Sequence, residues 1–281
     1  MVSVRKYATD GGTPTLRIRD LSIEFARRDG PLRVVDGVSL DIWPGEIVGV
    51  IGESGSGKTL TSLAALRMLP KGARIASGTL HLGATSIRDL GDSDMRALRG
   101  DRIALIPQDA MQSLNPTLRI GRQVGEPLEL HSGFTIRRAA EAAVRLLEAV
   151  HIRDPRARVR EYPHQFSGGM QQRAMIAMGL ALDPDLIVAD EPTTALDVTV
   201  QAQVLKLLKE IRDTKGASIL FITHDLGVVA QLCDWVYVMR DGRVVEDGSI
   251  ERIFTEPKAD YTRMLLAATP SIHAPFRQMR R

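Results

Sequence analysis

Hydrophobic and polar positions alternate near the start of the chain in a way that differs from the rest. Residues 16–25 and 32–42 show near two-residue alternation, with a break at Asp29-Gly30 between them. This spacing is typical of strands that place one face on a core and the other in solvent. It predicts an antiparallel β layer at the N-terminal end.

The later apolar segments are short and continuous, and helical stretches separate them. Those that we predict to be buried strands are residues 46–51, 103–106, 186–189 and 218–222, and residues 79–82 also resemble a strand. Two further apolar segments, 235–240 and 243–245, flank Asp241-Gly242, a strong hairpin signal. Strands that alternate with helices predict an α/β fold with a parallel core sheet.

Residues from about 113 to 165 interrupt the alternation, because they hold helical patterns and charge without a strand between them. We predict an inserted helical subdomain there. The α/β pattern then resumes, with a helix predicted over 198–212. After about Ile250 we predict a short helical region and a loose, basic end.

Composition narrows the classes of protein that the chain can represent. The chain has 281 residues and one cysteine, Cys233, which excludes a disulfide scaffold and disfavours a cysteine-ligated metal site within the chain. The 37 basic and 34 acidic residues give a net charge of +3, a small excess for a dedicated nucleic-acid binder. No apolar run approaches the roughly 20 residues of a membrane helix, and the first residues lack an apolar signal core. We expect a chain that stays in a reducing cytoplasm.

A glycine-rich loop between a predicted strand and a predicted helix fits the pattern G-x-x-x-x-G-K-[ST]. The glycines allow backbone N–H groups to surround an anion, and the following helix adds its positive N-terminal end. Lys58 is predicted to reach the β- and γ-phosphates, and the Thr59 hydroxyl to bind Mg²⁺. The motif indicates a nucleoside triphosphate and leaves the reaction open. This phosphate loop consists of Gly52, Glu53, Ser54, Gly55, Ser56, Gly57, Lys58 and Thr59.

Polar side chains follow three other predicted strands, and they converge on the γ-phosphate if those strands are parallel neighbours of the phosphate-loop strand. Asp190 suits a direct or indirect partner of Mg²⁺. Glu191 is a candidate general base for an attacking water, or a group that orients it. His224 is a candidate to contact the γ-phosphate and the water. Gln108 is a candidate to contact the Mg²⁺ or the water.

A second glycine motif, Ser167-Gly168-Gly169, precedes a helical run that extends to Ala181. Ser167 can cap that helix, and the two glycines expose backbone N–H groups at its start. The motif predicts a second anion-binding helix terminus. The alternative is an ordinary capped helix.

Together these motifs resemble those of an ATP-binding cassette (ABC) ATPase over nearly the whole chain. The resemblance implies a P-loop NTPase fold, ATP hydrolysis with Mg²⁺, and an ATPase domain over 14–268 with a basic tail at 269–281. The inserted helical subdomain spans about 113–165. The motifs are the Walker A loop 52–59, the Q-loop Gln108, the signature 167–169, the Walker B run 186–190 with Glu191, the D-loop 195–197 and the switch His224.

The family resemblance also implies a head-to-tail dimer in which each ATP lies between the Walker A loop of one subunit and the signature of the other. Ser167, Gly168 and Gly169 then serve the partner's ATP. Phe25 matches the aromatic residue that stacks on adenine in this family, and the alternative is an apolar strand residue.

A narrower resemblance points to the oligopeptide, dipeptide and nickel importer branch. Met170 is similar to the residue found in the first of the two non-identical ATPase chains of such importers. The chain departs from the branch at Ala259-Asp260, where His-Pro is usual, and it lacks the cysteine cluster of some members. The segments that carry the resemblance are 108–116, 162–170, 190–203 and 261–270.

This branch implies a peripheral subunit on the cytoplasmic face of the inner membrane. The implied partners are a second ATPase subunit (a non-identical homologue or a second copy), two membrane permeases and an extracytoplasmic substrate-binding protein, with no nucleic acid. Peptides are the leading cargo, and nickel, opines and oligosaccharides stay open. The alternative is a non-transport ABC ATPase that acts on nucleic acid or ribosomes. A nucleotide kinase or GTPase explains neither the signature nor His224.

Overall fold

The computed structural model describes residues 12–194 and 196–268, except for the side chain of Met111. The predicted tail 269–281 and Ala195 of the D-loop therefore lie outside the described residues. The chain divides into two compact units. The first unit combines Met1–Met95 with Gly216–Arg281, and the second comprises Arg96–Lys215.

Every segment predicted to be a strand is a strand in the structure, and two short elements, Thr85–Ser86 and Asp92–Leu98, lie where the sequence pattern predicts none. The strands are β1 Leu16–Phe25, β2 Leu32–Ile42, β3 Ile47–Ile51, β4 Ala73–Leu82, β5 Thr85–Ser86, β6 Ile103–Ile106, β7 Leu186–Asp190, β8 Ser218–Ile222, β9 Trp235–Arg240 and β10 Arg243–Ser249. The helices are α1 Lys58–Ala65, α2 Asp92–Leu98, α3 Ala110–Ser113, α4 Ile120–Ser132, α5 Ile136–Ala149, α6 Pro155–Arg158, α7 Gly168–Gly179, α8 Val198–Lys215, α9 Leu226–Leu232, α10 Ile250–Thr255 and α11 Asp260–Ala267.

The first unit contains the predicted antiparallel layer, a four-stranded sheet in the order β2-β1-β4-β5. Strand β4 begins at Ala73, six residues before the predicted strand start at Thr79. The difference arises at Gly78, because a glycine in an apolar segment reads as the end of a strand. In the structure Gly78 has a φ of +101° and lies within β4. A Cβ on Gly78 would lie 2.6 Å from the Arg19 carbonyl oxygen, so glycine is what lets β4 continue past β1.

A second sheet in the first unit positions the phosphate loop. Strand β3 pairs in parallel with β8 on one side and with β9 on the other, and β10 returns antiparallel to β9. Every residue of β3 and β8 is buried, which explains their continuous apolar sequences. Because β3 and β8 are parallel, with Val50 opposite Ile222, the segments that follow them leave the same edge of the sheet.

The second unit contains the parallel pair β6 and β7, with Ile103 opposite Leu186 and Ile106 opposite Ala189. Helix α7 contacts β6, and α4 and α5 pack on each other and on α7. The stretch predicted as a helical insertion, 113–165, contains α4, α5, α6 and a 3-10 turn at Pro163–Gln165. It lies inside the second unit, whose bounds are wider because they include β6, β7 and α8.

Helix α9 packs closely on β3. A Cβ on Gly49 of β3 would lie 3.0 Å from the Cys233 sulfur and 3.2 Å from a Val229 methyl carbon. Cys233 is fully buried. None of the described helices is long and apolar enough to cross a membrane.

Candidate functional site

The phosphate loop connects β3 to α1 in the first unit. Gly52, Gly55 and Gly57 have φ values of +151°, +82° and +97°, which glycine adopts without steric cost. A Cβ on Gly52 would overlap the Met239 carbonyl oxygen. Gly57 precedes the first residue of α1, so the loop ends at a helix N-terminus, as the motif predicts. This geometry suits an anion held by backbone N–H groups.

The Lys58 side chain is buried and turns back into its own loop. Its ammonium group donates to the carbonyl oxygens of Gly52 at 2.8 Å and of Glu53 at 2.7 Å, and it lies 3.5 Å from the Ser56 hydroxyl. A buried ammonium needs such partners, because burial without them is costly. Thr59 is exposed, as are Glu53, Ser54 and Gly55.

Two segments distant in sequence hold the loop in place. The Gly242 N–H, in the β9–β10 hairpin, donates to the Ser56 carbonyl at 3.2 Å, and the Gly242 carbonyl accepts from the Asp36 N–H at 2.8 Å. On α11, the Tyr261 hydroxyl accepts from the Glu53 N–H at 3.2 Å. Sequence reasoning missed both supports. The hairpin signal located Gly242, but nothing local in the sequence indicates what its N–H contacts.

His224 is the second residue after β8. It lies at the edge of the sheet from which the phosphate loop also leaves. The Thr223 N–H donates to the Val50 carbonyl at 3.3 Å, which aligns the two strand ends. Asp225 then caps α9 by accepting from the N–H groups of Gly227 and Val228. The His224 side chain is exposed at this edge.

Phe25 ends β1, where it lies opposite Leu32 of β2 and Ala73 of β4. It is partly exposed, and its ring is 4.0 Å from the position of a Cβ on Gly72. An aromatic side chain at the open end of a strand can stack on a planar ligand, which is the role that the family resemblance gives it.

In the second unit, the ends of β6 and β7 bring Gln108 and Glu191 together. The Gln108 amide nitrogen donates to Glu191 Oε2 at 3.1 Å, and the Thr194 hydroxyl donates to the same oxygen at 3.0 Å. Asp190, the last residue of β7, is buried. Glu191 has a φ of +44°, an uncommon conformation for a residue with a side chain. Such strain is found often at functional sites.

The signature segment, residues 167–169, begins α7 as predicted. The Ser167 hydroxyl accepts from the Met170 N–H at 3.4 Å, which makes Ser167 the N-cap. A Cβ on Gly169 would overlap Val200 of α8, so the glycine allows these helices to approach. The buried Gln171 side chain donates to the carbonyls of Pro163 and Phe166, which fixes the chain that enters the motif.

A cavity of about 490 Å³ opens beside the signature segment in the second unit. Arg173, which lines it, donates to the His151 carbonyl at 3.1 Å and to the Gln203 side chain at 2.7 Å. Three arginines, Arg153, Arg158 and Arg173, line the cavity beside the N-terminus of α7, so its positive charge suits an anion. Its lining includes Arg153, Arg158, Ser167, Gly169, Met170, Arg173, Val200 and Gln203.

The predicted site residues therefore fall into two groups. The first unit holds Phe25, the phosphate loop and His224, and the second holds Gln108, Asp190, Glu191 and the signature segment. Among the described residues, no three or more His, Cys, Asp or Glu side chains gather into a metal-binding cluster. A hydroxyl and a single carboxylate are nevertheless the kind of oxygen ligands that Mg²⁺ takes alongside substrate phosphates.

Comparisons with known proteins agree with these motifs. The sequence profile of a family described as "ABC transporter" matches residues 35–194. A probable peptide ABC transporter ATP-binding protein of Sinorhizobium fredii is 46% identical over 256 residues, which cover 91% of this chain and 76% of that protein. The oligopeptide transport ATP-binding protein of Bacillus subtilis is 44% identical, over 93% of this chain and 74% of its own length.

A peptidoglycan transport ATP-binding protein of Agrobacterium fabrum is 48% identical over 93% of this chain. The chain spans only 48% of that relative's length. Among solved structures, a dimeric ATP-binding cassette described as a post-hydrolysis state bound to ADP and Pi matches with a TM-score of 0.75 and 26% identity. The match covers 84% of this chain and 98% of that one.

Proposed function

The chain belongs to the ABC transporter family, and we propose that this ABC ATPase is the ATP-hydrolysing subunit of an importer for peptides or a related small solute. The observation that carries the proposal is that one chain contains two anion-binding helix termini, the phosphate loop and the signature segment. Relatives that are 44% and 46% identical carry names for oligopeptide and peptide transport.

ATP fits the phosphate loop of the first unit. The positive φ values of its glycines give the loop its tight turn beside β9 and β2, and the Lys58 ammonium lies among acceptor oxygens of the loop. Phosphate oxygens are stronger acceptors than these carbonyls, because they are charged. In the proposed complex Lys58 binds the β- and γ-phosphates, the loop N–H groups bind the remaining phosphate oxygens, and Phe25 stacks on the adenine.

We assign the Mg²⁺ of the nucleotide to the Thr59 hydroxyl, with Gln108 and Asp190 as further direct or water-mediated partners. The ion would neutralise charge that develops on the phosphates. Asp190 is buried at the end of β7, where a carboxylate needs a charged or hydrogen-bonding partner.

Glu191 is the group that we propose as general base for the attacking water, because its carboxylate is held by donors from Gln108 and Thr194. Gln108 then has two roles, since it orients the base and can contact the Mg²⁺ or the water. His224 is proposed to contact the γ-phosphate from the edge of β8.

The signature segment is proposed to bind the ATP of a second ATPase subunit in a head-to-tail dimer. The N-terminus of α7 and the basic cavity beside it provide the charge that such a ligand requires. The partner is a non-identical homologue or a second copy. A solved relative is described as a dimer with ADP and Pi.

The remaining partners are two permeases and a substrate-binding protein, which place the chain on the cytoplasmic face of the membrane. We propose that the ATPase domain spans 14–268 and that the helical segment of about 113–165 contacts the permeases. It follows Gln108 in the chain, so a change at the γ-phosphate can be transmitted to it.

Affinity purification of the tagged chain from solubilised membranes tests this function. We expect two membrane-spanning permeases to copurify, and proteoliposomes that contain the assembly to accumulate peptide only when MgATP is present. A Lys58→Ala assembly is the matched control, and it should form without transporting. Recovery of the chain with ribosomes or nucleic acid, and no permease, would favour the alternative of a non-transport ATPase.

A further inference from the structure

Helix α11 is tied to the nucleotide-binding unit by its N-terminus. The Glu246 carboxylate on β10 accepts from the N–H groups of Lys258 at 2.8 Å and of Ala259 at 2.9 Å. These contacts lie directly before Asp260, the first residue of α11. The start of the helix is therefore fixed to the β9–β10 hairpin, whose turn also contacts the phosphate loop.

Tyr261 is the residue of α11 that reaches the phosphate loop. Its side chain is buried, and its hydroxyl accepts from the Glu53 N–H at 3.2 Å. The Arg240 guanidinium lies 4.9 Å from the centre of the Tyr261 ring, which holds the ring between β9 and the loop. Met264, one turn later, is half exposed, so Tyr261 is the large apolar side chain that anchors this helix.

Glu53 connects Tyr261 to the lysine of the loop. The Glu53 N–H donates to Tyr261, and the Glu53 carbonyl accepts from Lys58 Nζ at 2.7 Å. Burial raises the pKa of Tyr261, so the neutral hydroxyl accepts this hydrogen bond near pH 7. A rotation of the backbone at Glu53 would disturb both hydrogen bonds together.

We propose that Tyr261 is a positioning residue for nucleotide binding, because its hydroxyl fixes the backbone of Glu53 and thereby the site from which Lys58 reaches the phosphates. The proposal rests on the function proposed above, in which Lys58 binds the phosphates of ATP. It extends that function to a residue of α11 that lies 208 positions after Glu53 in the chain.

Tyr261→Phe tests the proposal, because it removes the hydroxyl and keeps the ring that contacts Arg240. A neutral hydrogen bond contributes about 1 kcal/mol, which corresponds to roughly a fivefold change in a dissociation constant. Tyr237→Phe is a matched control. Tyr237, on β9, is also buried, and its hydroxyl accepts from the Asp41 N–H at 3.0 Å. Asp41 lies in β2 and not in the phosphate loop.

Calorimetric titration of the 281-residue variants with MgADP measures the effect without hydrolysis. We expect Tyr261→Phe to bind MgADP about fivefold more weakly and Tyr237→Phe to bind like the wild type, while both lose similar thermal stability. Hydrogen exchange of the peptide that contains Gly52–Lys58 should accelerate in Tyr261→Phe alone.

Equal MgADP affinity in the wild type and Tyr261→Phe, or an equal loss in the two tyrosine variants, would overturn the proposal. Lys58→Ala separates this outcome from a failure of the proposed function. If the wild type binds no MgADP, or if Lys58→Ala binds it equally well, the nucleotide site itself is wrong and Tyr261 has no loop to position.

Discussion

Gln108 donates a hydrogen bond from its side-chain amide to the Glu191 carboxylate at 3.1 Å, and the two residues follow neighbouring parallel strands. The Thr194 hydroxyl donates to the same carboxylate oxygen. A carboxylate with two donors on one oxygen has a restricted orientation. The end of β7 therefore presents the Glu191 carboxylate in a defined position.

Removing the Gln108 donor should lower turnover more than it lowers nucleotide binding. We expect Gln108→Ala to reduce kcat by about 10- to 150-fold, because a hydrogen bond to a charged group is worth about 1.5–3 kcal/mol. Gln108→Glu should be slower still at pH 7, since it places a like charge beside Glu191. Steady-state kinetics with MgATP check this, and a kcat equal to the wild type in both variants would refute an orienting role.

Gly169 should be essential for the contact between α7 and α8. Gly169→Ala places a Cβ against Val200, and overpacking of this kind costs about 1–3 kcal/mol. Gly168→Ala is the matched control, because the nearest neighbour of its Cβ would be a Leu196 methyl carbon at 4.0 Å, an ordinary contact distance. Urea unfolding measures both.

The double variant Gly169→Ala with Val200→Ala should recover most of the lost stability, since it removes the overlapping methyl groups. Equal free energies of unfolding for the two single glycine variants would show that contact with Val200 does not require glycine at position 169.

Cys233→Ser should yield a colourless, active and less stable protein. The fully buried sulfur packs near Gly49, and a hydroxyl in that place costs about 1–3 kcal/mol if it is poorly paired. Protein purified anaerobically is assayed for iron, acid-labile sulfide, thermal stability and ATPase activity. Stoichiometric iron and sulfide in the wild type that disappear with Cys233 would contradict a structural role and indicate a cluster shared between chains.

Glu246 should make the stability of the first unit depend on pH. Burial alone would raise the pKa of Glu246. Hydrogen bonds, including those from the N–H groups of Lys258 and Ala259, outweigh the effect of burial, so the pKa is lowered below 4.5. The ionised carboxylate therefore stabilises the fold above pH 4.5, and this contribution is lost as the pH falls through the folded-state pKa.

The measurement is the difference in unfolding free energy between the wild type and Glu246→Gln at several pH values. We expect the difference to be largest near neutral pH and to shrink below pH 4.5. A difference that is constant from pH 7 to pH 3 would show that the charge of Glu246 does not contribute.

Local sequence patterns account for most of the fold, because alternation and buried apolar runs are local properties. They located β1, β2 and the buried strands β3, β6, β7 and β8. The pattern failed for the first half of β4, where Gly78 interrupts the apolar sequence and yet permits the close approach to β1. A glycine that ends a strand and one that allows it to continue have the same local signature.

For the site, the sequence supplied the residues with chemistry, and the structure supplied what holds them. The pairing of Gln108 with Glu191 was suggested only by their places after parallel strands. The contacts of Tyr261 with Glu53 and of Gly242 with Ser56 join positions far apart in the chain. A hydrogen bond to a backbone N–H places no demand on the identity of the donor residue, so the sequence carries no sign of it.

The proposed role of Glu191 in ATP hydrolysis is tested most directly by the hydrolysis rate of Glu191→Gln at saturating MgATP with the partner ATPase present. The substitution keeps the phosphate loop and the shape of residue 191 and removes the carboxylate. We expect the rate to fall by about 10²-fold or more, while ATP stays bound in a stable dimer. A rate near that of the wild type would show that the Glu191 carboxylate does not drive hydrolysis.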